Sequence, residues 1–388
     1  MKYSFVDLRL LCLAGVFALS GCSAHPQGSK DASDTRIKVG TAPSAVELAD
    51  FNHDGKFDVA VANSESDNVT VLLGDGQGGF KPAAGSPFAA GNEPNDLAIG
   101  DVNNDGNLDL AFANHDTTYL TVLAGDGKGG FKTAPGSPFT VQSKPHPHGI
   151  AIADFNGDGW ADLATDDWQN NRVTVVFNDK KGGFLSPGVT FAVGKMPYQK
   201  LRAADLNKDG KADIVTTNFE GGNVTVLLGD GKGGFKEASG SPFDSNKQPF
   251  AIAIGDLNGD GTPDLAVGHY SGHITDTSGD RMTILLGVGD GTFRQAWSQL
   301  VPGKAPTRVA IGDVNGDKIA DVVFANYGNN SVTVVLGSHN NFNTASGWTT
   351  GVGRLPSGVA IGDLNADGRG DIVTANYDDN DISIILTK

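Results

Sequence analysis

The sequence predicts an all-β fold: a seven-bladed β-propeller of four-stranded antiparallel blades, with the ring closed by the N-terminal strand. Three observations predict it. An acidic motif recurs seven times at spacings of 50 to 57 residues, a period typical of propellers, solenoids and other repeat arrays. Each period holds four short strand-like segments separated by polar or Gly-rich turns. Glycine supplies 54 of 388 residues, which argues against long helices because each interior Gly costs a helix about 1 kcal/mol relative to Ala.

The strands of one period can be followed through the first copy. Residues 46–49 alternate into the acidic loop, and the apolar runs 58–62 and 69–73 follow it, separated by a polar turn. A Gly-rich turn then leads to a fourth, weaker strand that ends near Phe88. Four short antiparallel strands of this kind are typical of one propeller blade.

The two ends of the repeat region predict how the ring closes. After its acidic loop the last copy has only two more strands, 371–375 and 382–386, and therefore lacks a fourth. Residues 36–40 precede the first copy in the position that a fourth strand occupies elsewhere. We therefore expect the N-terminal strand to complete the seventh blade and to cover both free edges.

The recurring motif reads D-x-N-x-D-G-x-x-D and predicts calcium loops. Carboxylates at positions 1, 5 and 9 and an amide at position 3 are hard oxygen donors, and Gly at position 6 permits a tight turn. The predicted ligands are Asp50, Asn52, Asp54, Asp58, Asp101, Asn103, Asp105, Asp109, Asp154, Asn156, Asp158, Asp162, Asp205, Asn207, Asp209, Asp213, Asp256, Asn258, Asp260, Asp264, Asp313, Asn315, Asp317, Asp321, Asp363, Asn365, Asp367 and Asp371. We expect up to seven structural Ca²⁺ ions, with weak or no binding in loop 313–321, where Lys318 replaces the Gly.

The chain also carries Gly-Gly-Phe turns, one in most copies of the repeat. They end at Phe80, Phe131, Phe184 and Phe235, with looser versions at Phe293 and Phe342. Together with the acidic loops, these turns resemble the FG-GAP/VCBS repeat family, whose propeller is also that of the integrin α-subunit head. The resemblance covers residues 36–388 and implies the fold; it leaves function open, because such propellers carry many activities.

The N-terminus predicts export. Lys2 and Arg9 precede the apolar run 10–19, and the sequence from Leu19 to Cys22 resembles the bacterial lipobox. We expect residues 1–21 to be a lipoprotein signal peptide, Cys22 to be lipidated and residues 22–35 to form a flexible tether ahead of the propeller at 36–388. The protein would then be exported and anchored in the cell envelope by its lipid alone, and Ser23 after the Cys favours the outer membrane.

The charge of the chain follows from the acidic loops. Lys plus Arg number 29 and Asp plus Glu 45, so the formal net charge is −16, which argues against nucleic acid as a partner. Three aspartates in each of seven loops account for 21 of these acids, and bound calcium would neutralise much of their charge. We therefore expect a nearly neutral propeller without a basic patch. Separately, we expect the propeller to be a monomer.

One ring of residues suggests a binding face. Six residues after the last Asp of each loop, on the face opposite the acidic loops, all but the first copy carry an aromatic residue or His. These candidate ligand-binding residues are His115, Trp168, Phe219, Tyr270, Tyr327 and Tyr377. Aromatic rings beside amides suit sugars or peptide side chains; packing of the rings across neighbouring loops is the alternative.

Three classes of function fit the sequence. A module that binds a protein or a glycan is the first choice. The alternative is a carbohydrate-active enzyme of the polysaccharide lyase or lactonase type at the channel mouth, with His148, Tyr198, Lys200 and Arg308 as candidate catalytic residues. The third is a structural subunit of an envelope complex. The longest spacing places extra residues between Tyr270 and Met282 of the fifth blade, a position suited to specificity.

Overall fold

The computed structural model describes residues 34–143, 147–270, 281–300, 303–338 and 343–388. Within these ranges the chain forms seven antiparallel sheets and one 3₁₀ turn, Trp168–Asn170. The all-β, seven-bladed propeller predicted from the sequence is thus confirmed. The expected signal peptide, Cys22 and most of the expected tether lie outside the described residues, as does the longer loop of the fifth blade. No helix in the described part of the chain is long and apolar enough to cross a membrane.

Blades are numbered by their acidic loops, from loop 50–58 in blade 1 to loop 363–371 in blade 7. The innermost strands, which line the central channel, are Pro43–Ala49, Pro94–Gly100, Ile150–Ala153, Pro197–Ala204, Pro249–Gly255, Pro306–Gly312 and Pro356–Gly362. The second strands are Asp58–Asn63, Asp109–Asn114, Asp162–Asp167, Asp213–Asn218, Asp264–His269, Asp321–Asn326 and Asp371–Asn376. The third strands are Asn68–Gly74, Tyr119–Gly125, Arg172–Val176, Asn223–Gly229, Arg281–Gly287, Ser331–Leu336 and Asp381–Ile385.

The outer strands differ between blades. Those of blades 3, 5 and 6 are continuous, at Val189–Ala192, Phe293–Leu300 and Asn343–Gly351. Those of blades 1, 2 and 4 are split into two short pieces, at Phe80–Pro82 with Phe88–Ala89, Phe131–Thr133 with Phe139–Thr140, and Phe235–Glu237 with Phe243–Asp244. Both pieces pair with the third strand of the same blade, so together they take the place of one outer strand and the blade remains four strands wide.

The second strands are the most deeply buried elements. Every residue of Asp58–Asn63 is buried, and the same holds for the other six second strands. Both faces of a second strand lie against neighbouring blades, which explains why these strands read as nearly continuous apolar runs. Apolar side chains of adjacent blades form seven clusters, one at each junction around the ring. Each blade therefore depends on both neighbours for its core.

The ring closes at blade 7, as predicted. The strand Asp34–Lys38 pairs antiparallel with Asp381–Ile385, placing Arg36 opposite Ser383. This strand begins two residues before the predicted one. Arg36 reinforces the pairing, because its Nη2 lies 2.7 Å from Oδ1 of Asp381 and 2.6 Å from Oδ2 of Asp379. Asp381 is 3% exposed, so the guanidinium supplies charge compensation at the seam.

Substitution at this seam tests the closure. We expect Arg36→Ala to lower the free energy of unfolding by about 1–3 kcal/mol, because a nearly buried carboxylate loses its charged hydrogen-bond donor. Lys38→Ala is the matched control: its side chain is 77% exposed and lies 3.4 Å from Asp381, so we expect about 0.5 kcal/mol or less. Urea denaturation monitored by circular dichroism measures both, and equal effects would contradict the proposed role of Arg36.

Candidate functional site

The acidic loops fold as tight turns that gather side-chain oxygens. In blade 1, Oδ1 of Asp50 accepts the N–H of Asp54 at 3.1 Å, and Oδ2 accepts that of Gly55 at 2.7 Å. Oδ1 of Asn52 accepts the same Asp54 N–H at 2.9 Å, which brings the donors of positions 1 and 3 to one side of the turn. Gly55 has a φ of 80°, a left-handed conformation that Gly adopts without strain. Carboxylate and amide oxygens arranged in this way fit a hard cation such as Ca²⁺.

The sixth loop keeps this turn despite its substitution. Lys318 has a φ of 68°, and its N–H donates to Oδ2 of Asp313 at 2.7 Å, as the Gly at this position does in the other loops. The backbone therefore does not shift; instead a Lys adopts a left-handed conformation that is strained for a residue with a Cβ. Weak calcium binding by this loop stays a prediction.

The last Asp of each loop has a second role that sequence reasoning missed. In blade 2, Asp109 is fully buried, and its two carboxylate oxygens accept the N–H groups of Val102 at 2.9 Å and Gly125 at 2.8 Å. Gly125 ends the third strand, and a Cβ there would lie 2.2 Å from the carbonyl oxygen of Leu108. Asp109 thus ties the acidic loop to the third strand. A signal was available, because a Gly ends the third strand in blades 1, 2, 4 and 5.

The same pair of hydrogen bonds recurs in all seven blades. The acceptors are Asp58, Asp109, Asp162, Asp213, Asp264, Asp321 and Asp371. Burial raises the pKa of the first six to about 6, against the opposing effect of the backbone donors, and nearby loop carboxylates raise it further. Burial raises the pKa of Asp371 as well. A carboxylate has about four lone-pair sites, so these groups can accept two N–H bonds and still face a cation.

This structural role can be tested without calcium. With a chelator present, we expect Asp109→Ala to lower the free energy of unfolding by about 2–4 kcal/mol, because two buried N–H groups lose their acceptor, with part of the cost offset by removal of a buried charge. The control, Asp105→Ala, changes an exposed residue of the same loop, and we expect a loss of about 0.5 kcal/mol or less. Chemical denaturation gives both values; similar losses would rule out the special role of the last Asp.

Charged residues of four blades meet inside the channel. Glu47, Asp96, Lys200, Arg202 and Arg308 line a cavity of about 20 Å³ formed by the innermost strands. Lys200 forms an ion pair with Asp96, whose other carboxylate oxygen lies 3.7 Å from Nη1 of Arg202. Burial lowers the pKa of Lys200 to about 7 and raises that of Glu47. Burial also lowers the pKa of Arg308.

The candidate catalytic residues lie around this region. The rings of His148 and Tyr198 are in contact, with centroids 4.3 Å apart, and Nδ1 of His148 lies 3.2 Å from Oδ2 of Asp166. Lys200 and Arg308 line the channel cavity. His148, Lys200 and Arg308 are buried, and a cavity of this size holds about one water molecule, whereas substrate pockets occupy about 300 Å³ or more. The cavity that Lys200 and Arg308 line is therefore too small for a sugar ring.

The aromatic and His side chains on the face opposite the acidic loops pack against one another, and we call this set the aromatic belt. Edge-to-face contacts connect His115 to His148, His148 to Tyr198, and Tyr198 through Phe250 to Tyr270, with centroid distances from 4.3 to 5.7 Å. Four candidate ligand-binding residues are buried, at 4–7% exposure: Trp168, Tyr270, Tyr327 and Tyr377. His115 and Phe219 are half-buried. An open platform of ring faces is therefore not available from the four buried side chains, and the packing interpretation accounts for them.

The residue that directly follows each belt position in the sequence differs between blades, and in several blades its side chain is exposed. Glu65, Asp116, Glu220 and Asp378 occupy this position in blades 1, 2, 4 and 7 and are exposed, whereas blade 6 has Gly328. Sequence reasoning concentrated on the aromatic residues and passed over these neighbours. They form the accessible part of the belt face, which we define as the face that carries the aromatic belt.

A groove lies on the other face. It has a volume of about 780 Å³ and runs between blades 2 and 3, beside their acidic loops. Its lining includes Phe131, Trp160, Lys132 and Lys181. Trp160 occupies position 7 of an acidic loop, where the seven copies carry unrelated side chains, so the repeat pattern gave no reason to single it out.

Comparison with known proteins identifies the repeat. A model described as "FG-GAP-like repeat" matches residues 50–112, 101–165, 205–267, 273–324 and 313–374, which together cover well over half of the chain. No curated protein sequence matches the chain.

Solved structures share the fold at low sequence identity. BBS1N in complex with ARL6DN has a TM-score of 0.61 and 11% identity, covering 92% of this chain and 97% of that one. Virginiamycin B lyase from Staphylococcus aureus has a TM-score of 0.59 and 14% identity, covering 92% and 100%. A putative 6-phosphogluconolactonase from Bacteroides fragilis has a TM-score of 0.54 and 15% identity, covering 82% and 97%. These likenesses support the propeller fold alone. The repeat match is what shows the family: the chain belongs to the FG-GAP-like repeat family.

Proposed function

We propose that the protein is a monomeric, lipid-anchored, calcium-stabilised propeller of the cell envelope that binds a protein or a glycan through its belt face. The anchor is proposed from the lipobox-like sequence that ends at Cys22. Calcium is proposed from seven copies of one oxygen-rich turn. The observation that carries the binding function is a contrast between the two faces: the predicted ligand positions of the acidic loops repeat almost unchanged, whereas the exposed position next to the belt differs from blade to blade.

That contrast has a physical meaning. A repeat needs the same side chains wherever they hold the fold, as the last Asp of each acidic loop does. The exposed position after the belt carries Glu65 in blade 1, Glu220 in blade 4 and Gly328 in blade 6. Its contacts differ as well, because Glu65 accepts a hydrogen bond from the Tyr377 hydroxyl whereas Glu220 pairs with Lys195. Variable loops on a rigid scaffold are a common place for recognition. Glu220 and Asp378 at this position pair with Lys195 and Arg354, so the belt face offers charged groups of both signs to a polar partner.

Calcium stabilisation is tested by thermal unfolding. We expect a chelator to lower the Tm and calcium to restore it, because an ion that binds only the folded state stabilises that state. Asp105→Ala removes one ligand of one loop, so at calcium 100-fold above its Kd this variant should lose about 2.7 kcal/mol of the calcium-dependent gain. The same Tm with chelator and with calcium would contradict structural calcium.

The binding face is tested with matched surface variants. Glycan arrays and overlays on fractionated envelope proteins first define a ligand for the unaltered propeller. A belt-face variant then carries Glu65→Lys, Glu220→Lys and Asp378→Lys, and a groove variant carries Lys132→Glu and Lys181→Glu. We expect the belt-face variant to bind that ligand about tenfold more weakly, or about 1.4 kcal/mol, and the groove variant to bind it normally.

Two outcomes count against the proposal. Loss of binding in the groove variant alone would move the site to the acidic-loop face. If the unaltered propeller bound no glycan on the arrays and no envelope protein in the overlays, the proposed binding function would be wrong. All five changed side chains are exposed or line the open groove, so we expect both variants to fold. Circular dichroism and the calcium-dependent Tm check that they do.

A further inference from the structure

We propose that blade 2 carries a binding site for a divalent transition metal, with zinc as the best-fitting ion, on the belt face. The ligands are His115, Glu93 and Asp116. Nδ1 of His115 lies 3.4 Å from Oε2 of Glu93 and 3.5 Å from Oδ1 of Asp116. One ligand atom from each residue lies within 4.8 Å of the other two. This site is separate from the acidic loops and goes beyond the proposed function.

The spacing of these atoms fits a metal. Zinc binds nitrogen and carboxylate oxygen at about 2.0–2.2 Å with tetrahedral geometry, which places neighbouring ligand atoms about 3.3–3.6 Å apart. The two His115 distances fall in this interval. Imidazole with carboxylates suits zinc and its neighbours in the first transition series, whereas calcium takes oxygen ligands alone. The donor set therefore distinguishes this site from the seven loops.

The repeat shows that the fold does not require these side chains. The three equivalent positions hold Ala42, Ser64 and Glu65 in blade 1. They hold Met196, Phe219 and Glu220 in blade 4, Ala305, Tyr327 and Gly328 in blade 6, and Leu355, Tyr377 and Asp378 in blade 7. The backbone hydrogen bond between the first two positions is the same: His115 donates to the carbonyl of Glu93 at 2.8 Å, as Tyr327 does to Ala305 at 3.0 Å. Blade 2 therefore places one imidazole and two carboxylates on a frame that is stable without them.

Neighbouring groups hold the ligands in place. The N–H of Glu93 donates to Oδ1 of Asp67 at 2.9 Å. The ring of His148 packs edge-to-face against His115, with centroids 5.2 Å apart, and Nδ1 of His148 lies 3.2 Å from Oδ2 of Asp166. The backbone of Glu93 and the ring of His115 are thus held from behind, which favours binding by a site that is preformed at these two ligands.

The site is also accessible. The side chains of Glu93 and His115 are 17% and 20% exposed, and that of Asp116 is 51% exposed. An ion can therefore enter from solvent, and three protein ligands leave a fourth position for water or for a group of a bound partner. The site lies on the same face as the proposed binding surface, but its occupancy does not depend on a partner.

Zinc titration of the calcium-saturated full chain tests the proposal. Saturation with calcium keeps zinc from entering the acidic loops. Isothermal titration calorimetry should then show one zinc ion per chain, and His115→Phe should abolish it. Phe is the residue that blade 4 carries at this position, so the variant preserves ring packing while removing the nitrogen. Glu93→Gln is a second ligand variant, and we expect it to weaken zinc binding at least about tenfold.

Glu220→Gln is the matched control, because it changes a carboxylate at the position equivalent to Asp116 in a blade whose preceding residue is Phe219. Normal zinc binding by this control and loss in both ligand variants would support the site. Absence of zinc binding in the unaltered protein would overturn it, and so would zinc binding by His115→Phe and Glu93→Gln that equals that of the unaltered protein. These outcomes are independent of partner binding, so failure here leaves the proposed function standing and failure there leaves this site standing.

Discussion

The rest of the propeller depends on one interaction: the pair of backbone hydrogen bonds that the buried aspartate at the end of each acidic loop accepts. In every blade this residue starts the second strand, accepts an N–H from the loop before it and accepts another from the end of the third strand or just beyond it. A carboxylate removed from water is costly unless hydrogen bonds or a cation compensate its charge. Burial accordingly raises the pKa of Asp109 to about 6. This group holds the loop, the second strand and the third strand in one geometry.

The sequence was most informative where local chemistry repeats. The period, the four strands of each blade and closure by the N-terminal strand all followed from patterns within about 60 residues or from the deficit in the last copy. The split outer strands of blades 1, 2 and 4 were not predicted, because a weak edge strand leaves little apolar pattern to follow. The role of Asp109 was predicted only in part: the motif showed a ligand, but its bond to Gly125 joins residues that only the folded sheet brings together.

The binding face was harder to predict for a related reason. Whether Tyr270 is exposed depends on Phe250, which lies on a different strand, and Trp168 lies beside Tyr198 from the next blade. Aromatic residues at one repeat position suggested a platform, and the tertiary contacts make most of them a belt. The charged residues of the channel were expected at its mouth. They do lie along the innermost strands, but Lys200 and Asp96 compensate each other in a buried pair.

The two faces of the propeller thus have different roles in this proposal, one in stability and the other in binding. The acidic-loop face repeats one oxygen-rich turn whose geometry serves the fold, and the belt face carries exposed side chains that differ between blades. We propose above all that the acidic loops hold calcium. The most direct test is the calcium content of the purified protein, measured by elemental analysis after equilibration with calcium and removal of free ions. We expect six or seven ions per chain; a chain that retains none would contradict the claim.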